Sequence, residues 1–560
     1  MPKQIPSFEK PLHDQLSQIR TSLLALKNNR TKYISSKQVY TIYDEFLAHL
    51  HELSLTRKDE ELKGMTLSLP NATDSIVDDV WSILSLCFVT CGLTKFAPAT
   101  YSSLSTVYKL LEHLEVCQVY TMDDLDPIRE RLEEIKDIIR QSEQAKEDED
   151  EEIDDSMNNH NKEESLLLRN KWNKCQQLLS NLENCFNEIP NDLEPIYSQL
   201  VLMRKQLLNF LTNGSSSKSN SAIITKNTTV SPGQLESKLL QLKDELKEIK
   251  QMRNPEGKFP SEAPQSQQLK ASIVLNGLLD DCNNFINDLS IQQETPDISN
   301  LFKNLSITES DQQADQQVIT NYSNLYTQLI DIKLKLENLL VTRRWTMRET
   351  DLFNYSKALK EIDDERSSMQ ESTQSNVQLK KLHMIILYLL RRCYSLIYKL
   401  LESSEPVSES LQPIHNQLST VHRCLLEIKR IDGLNTLKDI YPYQFKLASL
   451  DNMRDDGKFI VNGAIPEGQG LLNALLAECF DILHELKIEL EEKEEAAGID
   501  EEDEVANITD DEDIQPDDEV ELKRNRYMGF HEADYDLDSD SCVSDLESIS
   551  DSEYEGNDYY

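Results

Sequence analysis

Two Gly-Lys-Phe words, Gly257-Lys258-Phe259 and Gly457-Lys458-Phe459, come nearest to a phosphate-handling motif in this sequence. A Walker-type loop needs an earlier glycine, four intervening residues and a Ser or Thr after the lysine, so that amides and a hydroxyl surround phosphate and magnesium. Here phenylalanine follows the lysine, and Glu256 or Asp455-Asp456 puts carboxylates where phosphate would sit. The words read instead as helix-ending turns, with glycine at positive φ and phenylalanine packed back on the core. Cys87 and Cys91 stand one helical turn apart and could present two thiolates to zinc, but no CxxC or HxxxH pair supplies the remaining ligands. They read as small core residues, as do Cys185, Cys282 and Cys479 in their similar frames. No Gly-x-Ser-x-Gly elbow and no activated-cysteine signature is present. The residues argue against an enzyme, a cofactor and a metal centre.

Two basic features remain. Arg343-Arg344-Trp345 with Arg348 forms a local cationic cluster, and Arg391-Arg392 interrupts an apolar helix. Either is a solvated or carbonyl-capping helix face, or a dock for carboxylate or phosphate, which arginine grips with two parallel bonds. In the C-terminal tail, Ser544, Ser548, Ser550 and Ser552 each have an acid three residues on. That spacing suits kinases with basic pockets, and each phosphate would add about −1.5 to −2 charges. The alternative is an acidic tail whose serines only keep it soluble. Lys523–Phe530 (KRNRYMGF) is a basic-aromatic island there, either a short docking motif or spacer.

The elements that must position these residues are helices. Six segments carry apolar residues at 4-3-4 spacing, the signature of one helix face. They are Leu12/Leu16/Ile19/Leu23, Ile128/Leu132/Ile135/Ile139, Ile196/Leu200/Met203/Leu207, Leu235/Leu239/Leu242/Leu246, Leu325/Leu329/Ile332/Leu336 and Ile414/Leu418/Val421/Leu425. Pro11, Pro127, Pro195 and Pro413 precede four of them, where a fixed φ suits the first turn and the missing N–H costs nothing. A basic residue or histidine follows the third apolar position in all six: Arg20, Lys136, Arg204, Lys243, Lys333 and His422.

Longer words then recur in order. YKLLE occurs at Tyr108–Glu112 and Tyr398–Glu402, each before a Pro-Ile helix, at Pro127 and Pro413. The Gly-Lys-Phe words follow, and then Leu278-Leu279-Asp280-Asp281-Cys282 and Leu475-Leu476-Ala477-Glu478-Cys479. The order predicts two homologous helical halves, residues 1–291 and 320–490, with a linker at 292–319 and a tail at 491–560. Pro-Ile to Gly-Lys-Phe spans 131 residues in the first half and 45 in the second. An insertion of about 86 residues in the first half, holding an acidic run near 143–163, a flexible stretch at 213–232 and an extra helical pair near Glu164–Leu211, would account for the difference.

The formal charge of the 560 residues is −42, but residues 491–560 alone carry −24, and Glu147–Asp155 has eight carboxylates in nine positions. Like-charge blocks repel and stay solvated, so the tail and this insertion read as disordered. Direct nucleic-acid binding, which needs clustered Lys and Arg, is disfavoured. So is a membrane role, because Val80–Gly92 is too short to span hydrocarbon. Ten scattered cysteines and no signal peptide suggest reduced thiols, in the cytoplasm and also the nucleus.

The Leu12 and Leu325 helices, the two YKLLE words and the Gly-Lys-Phe turns carry a resemblance. The chain resembles a fungal uncharacterised-protein family (family 0662) built around domain of unknown function 2408. The resemblance implies an intracellular, all-helical fungal protein with no assigned catalytic residues, loosely associated with proteasome function and DNA repair. The expected fold is all-α: two related helical-bundle halves with long heptad-like helices, an acidic disordered insertion and an acidic disordered tail. The expected function is a non-enzymatic interaction or scaffold protein that binds protein partners, basic proteins among them, with a phosphorylatable tail. The alternative is a small-ligand binder or enzyme using a cavity between the halves.

Overall fold

A computed structural model describes residues 5–497 except 64–69, 118, 150–154, 187–188, 214–231, 255–257, 262–263, 292–312, 374–376 and 432–435. The four tail serines lie outside the described residues. Among these residues the fold is all-α: fifteen α-helices and one two-stranded hairpin. In chain order they are α1 (Lys10–Asn28), α2 (Ser36–Leu62), α3 (Ala72–Thr90), α4 (Thr100–Cys117), α5 (Met122–Glu149), α6 (Asp155–Phe186), α7 (Glu194–Asn213), α8 (Pro232–Gln251), α9 (Gln265–Ile291), α10 (Gln313–Thr346), α11 (Leu352–Thr373), α12 (Val377–Glu402), α13 (Gln412–Ile431), α14 (Tyr441–Asp451) and α15 (Gln469–Ala497). Among the described residues no helix is long and apolar enough to cross a membrane.

The chain divides into two compact units. The larger comprises Met1–Asn416 and Arg454–Leu472, and the smaller comprises Gln417–Met453 and, from Asn473 onward, most of α15. The larger unit therefore joins helices from both expected halves: α4, which carries one YKLLE word, packs against α12, which carries the other. Its centre is α3, whose Val80, Trp81, Ile83, Leu84, Cys87 and Phe88 are each at most 1% exposed. Asn71 caps α3 by accepting from the Thr73 and Asp74 amides while Asp74 bonds back to the Asn71 amide, a reciprocal capping box. Trp81 packs edge-on against Phe46 and stacks on Tyr101, tying α2, α3 and α4 together. Cys87 and Cys91 are both buried, and burial raises the Cys91 thiol to about 12, as core residues require.

Pro11, Pro195 and Pro413 each sit at the second position of their helices, as their fixed φ predicts. Pro127 does not: α5 begins five residues earlier, at Met122, and carries Pro127 inside it. The extra start comes from Thr121, whose amide donates to Asp124 Oδ2 at 3.1 Å. This corrects the register of the repeat. The counterpart of the Pro413 helix is the Pro195 helix, α7, and not the Pro127 helix. In α7 the Leu200 carbonyl accepts from Cys282 Sγ at 3.7 Å, and in α13 the Leu418 carbonyl accepts from Cys479 Sγ at 3.9 Å. One turn further on, Arg204 pairs with Asp281 at 3.4 Å and His422 with Glu478 at 3.2 Å, each acid preceding its cysteine. The helix pair near Glu164–Leu211 thus contains the first copy's own opening helix. The thiol-to-carbonyl contact occurs twice more, from Cys175 of α6 to Leu104 of α4 at 3.7 Å and from Cys393 of α12 to Leu329 of α10 at 3.8 Å. In the second of these Arg392 precedes the cysteine, so Lys333 lies beside Glu337 of its own helix instead.

The second Gly-Lys-Phe word is a hairpin. Asp456 and Gly457 both take positive φ (48° and 73°) between Arg454-Asp455 and Lys458-Phe459, the requirement of a tight two-residue turn. Phe459 is 1% exposed, its amide and carbonyl both held by the Gln469 side chain. The first word repeats this arrangement in Phe259, fully buried, with its carbonyl accepting from Gln268.

Two other glycines clasp one segment. Gly92 (φ +85°) and Gly468 (φ +103°) both abut residues 406–408, and a Cβ on Gly468 would lie 2.8 Å from Val407 Cα and 2.9 Å from the Pro406 carbonyl oxygen. Gly468→Ala is expected to cost about 2–4 kcal/mol, combining left-handed strain with overpacking against backbone that cannot move aside. Chemical denaturation followed by circular dichroism measures it; a loss under about 0.5 kcal/mol would refute the clasp.

Candidate functional site

The heptad-like pattern of α12 gives one face, Lys380, His383, Met384, Leu387, Tyr388 and Arg391, spaced at 3-1-3-1-3. On α7, Val201, Arg204, Lys205 and Leu208 form a matching face. With Val116, Cys117 and Val119 at the end of α4, these faces enclose a cavity of about 430 Å³ within the larger unit. Four permanent cations line it, in a protein of net charge −42.

Their countercharges are uneven. Lys205 donates to Asp124 at 2.5 Å, and Arg204 lies 3.4 Å from Asp281, whose carboxyl burial pushes above its usual range despite the arginine. Arg391 is 7% exposed, and among the described residues no carboxylate pairs with it. Its Nη1 donates instead to Cys117 Sγ at 3.5 Å. Arg204 Nη1 reaches the same sulfur at 4.0 Å, Arg204 Nη2 meets Met384 Sδ at 3.0 Å, and Arg204 Nε is buried without a partner. Two guanidiniums therefore converge on soft, weak acceptors. A buried guanidinium is costly unless it meets an anion, so the cavity is chemically suited to a carboxylate or phosphate, which would replace sulfur with oxygen acceptors.

His383 is held neutral at the rim. Burial, and then the neighbouring Arg366 guanidinium, lower it to about 4. Arg366 Nη1 lies 3.2 Å from His383 Nε2, which accepts, leaving the Nδ1 proton for Tyr322 Oη at 3.2 Å. Arg366 in turn donates twice to Asp363, and Asp363 also meets Lys109 and His113. The buried charges behind the cavity thus fix its histidine in one tautomer.

Of the residues singled out from sequence, Arg391 lines this cavity. Arg343, Arg344 and Trp345 fall in the last turn of α10, and their side chains lie outside what the structure describes. Arg348 faces inward: 2% exposed, it donates to Glu409 and to the carbonyls of Lys27, Asn29 and Lys32. Its guanidinium is committed to the fold. Cys282 and Cys479 are buried, with burial raising their thiols to about 12 and 11, whereas Cys185 is exposed. Arg204, Lys205 and Cys117 were not identified as site residues. The signal lay in Arg204 as the recurring basic position of the repeat, but nothing local distinguishes the copy that faces a cavity. Among the described residues no group of three or more His, Cys, Asp or Glu is placed to hold a metal ion.

The family described as "Protein of unknown function (DUF2408)" matches residues 186–349 and 404–507, which open just before α7 and α13 and so agree with the corrected register. The "Cu(2+) suppressing and bleomycin sensitive protein 1" of Saccharomyces cerevisiae is 45% identical over 527 residues, covering 88% of this chain and 92% of that one. The chain belongs to this fungal family. The "CUB1 family protein C30C2.08" of Schizosaccharomyces pombe is 33% identical over 503 residues, covering 89% of this chain and 97% of its own length. No solved structure matches this family member.

Proposed function

We propose that the protein is a non-enzymatic, intracellular interaction protein, and that its arginine cavity receives an anionic side chain, carboxylate or phosphate, from an acidic segment of a partner protein. The observation that supports this is Arg391, a guanidinium nine-tenths buried, on a cavity wall, whose hydrogen-bond partner is a thiol. The cavity is large enough for one side chain with part of its backbone, and helical grooves commonly read a partner through a few such anchors. The acidic tail, phosphorylated at Ser544, Ser548, Ser550 or Ser552, has the same chemistry and would compete for the site. It also offers carboxylates to basic partners. A role in proteasome function or DNA repair rests on family resemblance, and the name of the budding-yeast relative, a bleomycin sensitive protein, is consistent with it.

The test is affinity purification with mass spectrometry of the full chain, of Arg391→Gln/Lys380→Gln, and of a chain ending at residue 490. The cavity variant is expected to lose at least tenfold of one or more partners with its melting temperature within a few degrees of wild type. Removal of the tail is expected to change the partner set. Unchanged partner sets in a folded cavity variant would overturn the reading.

A further inference from the structure

A second cavity in the larger unit, about 450 Å³, is bounded by α3, α4, α6, α11 and α12. Lys171 and Lys174 stand one turn apart on α6, and Lys357 and Lys360 one turn apart on α11. Asp78 of α3 bridges them: its Oδ2 takes the Lys360 ammonium at 2.5 Å, and its Oδ1 lies 3.9 Å from Lys171 Nζ. The neighbouring Asp79 lies 3.6 Å from Lys357 and 3.2 Å from Arg20. Lys171, Lys357 and Lys360 thus meet a floor of two carboxylates with Lys174 in the same lining, while the Lys109 ammonium is taken by Glu112 at 2.7 Å and Asp363 at 3.0 Å. The cations outnumber the anions, so the network leaves net positive charge turned into an open space.

Lys171 shows how little of that charge is neutralised. Its ammonium sits 3.6 Å above the Tyr101 ring, a cation–π contact, and burial lowers it to about 8, with Asp78 offsetting only part of the cost. Both lysines of α11 are 45% exposed, so their ammoniums can be reached from solvent. Leu86, Leu352 and Phe353 line the same space with apolar surface.

We propose that this cavity binds a small organic phosphate carrying at least two linked phosphate groups, held between the Lys171/Lys174 pair of α6 and the Lys357/Lys360 pair of α11. Asp78 and Asp79 pre-position the ammoniums, a linked phosphate chain spans the two pairs where a single phosphate meets only one, and the apolar lining takes the organic moiety. Lysine suits this task because it acts as a point charge on phosphate without demanding fork geometry. The site is independent of the arginine cavity.

Titration calorimetry on the full chain, with inorganic tripolyphosphate, pyrophosphate and orthophosphate as probes, tests the proposal. Tripolyphosphate is expected to bind saturably with unit stoichiometry, pyrophosphate more weakly, and orthophosphate at least tenfold more weakly still. Lys357→Gln/Lys360→Gln, whose exposed side chains leave the fold intact, is expected to weaken tripolyphosphate binding tenfold or more. Lys58→Gln/Lys63→Gln removes the same charge from exposed positions at the end of α2 and is expected to leave binding unchanged. Labelling of Lys171 by an amine-reactive reagent at pH 8 is expected to fall when tripolyphosphate is bound. Absence of saturable binding, equal losses in the two double variants, or full retention in Lys357→Gln/Lys360→Gln would each overturn it.

Discussion

Arg348→Ala is expected to destabilise the larger unit by about 3–5 kcal/mol, the usual cost of deleting one partner of a buried ion pair. The guanidinium is 2% exposed and spends its donors on four acceptors: Glu409, with Nε at 2.7 Å, and the carbonyls of Lys27 (3.4 Å), Asn29 (3.0 Å) and Lys32 (3.2 Å). Alanine would leave a carboxylate and the turn after α1 without their donor, and unsatisfied buried acceptors each carry a desolvation penalty. Arg348→Lys is expected to recover less than half of the loss, because one ammonium cannot reach acceptors spread around a planar fork. Urea unfolding of the three proteins measures this directly. An Arg348→Ala protein within about 1 kcal/mol of wild type would return Arg348 to the surface cluster its sequence neighbours suggested.

Asp363→Asn is expected to cost a similar amount, about 3–5 kcal/mol. Asp363 and Arg366 are 3% exposed each, and Lys109 Nζ and His113 Nε2 lie 3.0 Å and 3.1 Å from the same carboxylate. Burial alone would raise this carboxyl, but His113, Lys109 and Arg366 outweigh it and hold it far below the usual range. His113 and His383 shift the opposite way for a cation: burial lowers both, His383 to about 4.

These shifts share one sign with pH. Unfolded histidines take up protons near pH 6.5 and unfolded aspartate near 3.9, whereas the folded groups resist protonation. The unfolded chain therefore binds more protons, and stability falls as pH falls. From about pH 6.5 down to 4 the loss from His383 is expected to approach 1.4 kcal/mol per pH unit, His113 adds in the same direction, and below about pH 4 Asp363 adds to it. Melting temperatures across pH 3.5–8 report the slope. In Asp363→Asn the step below pH 4 is expected to shrink, while Asp363→Leu/Arg366→Met, which removes both charges, is expected to regain much of the lost stability at pH 7. Loss in that double variant equal to the sum of its singles would deny the coupling.

The sequence by itself determined the helices and most of the core. The 3.6-residue period is a local property, so Leu12, Leu16, Ile19 and Leu23 could be assigned to one face from spacing alone, and all four are buried. Proline at Pro11, Pro195 and Pro413 and glycine at Gly457 act within a turn or two, and they sit where their backbone preferences require. The family was legible too, because its repeated words are local strings. Tertiary structure decided which copies correspond and which face meets which. Pro127 and Pro195 look alike in sequence, and the place of Pro127 inside its helix, together with the contacts of Cys282 and Asp281 on α7 and of Cys479 and Glu478 on α13, separates them. In the chain Arg348 belongs to a cationic cluster and Arg391 to an apolar helix. One is consumed by acceptors more than 300 positions away, Lys27 and Asn29, and the other, among the described residues, donates to Cys117, 274 positions away. Whether a cation is spent inside the fold or kept for a ligand depends on what distant helices bring to it, and no local spacing encodes that.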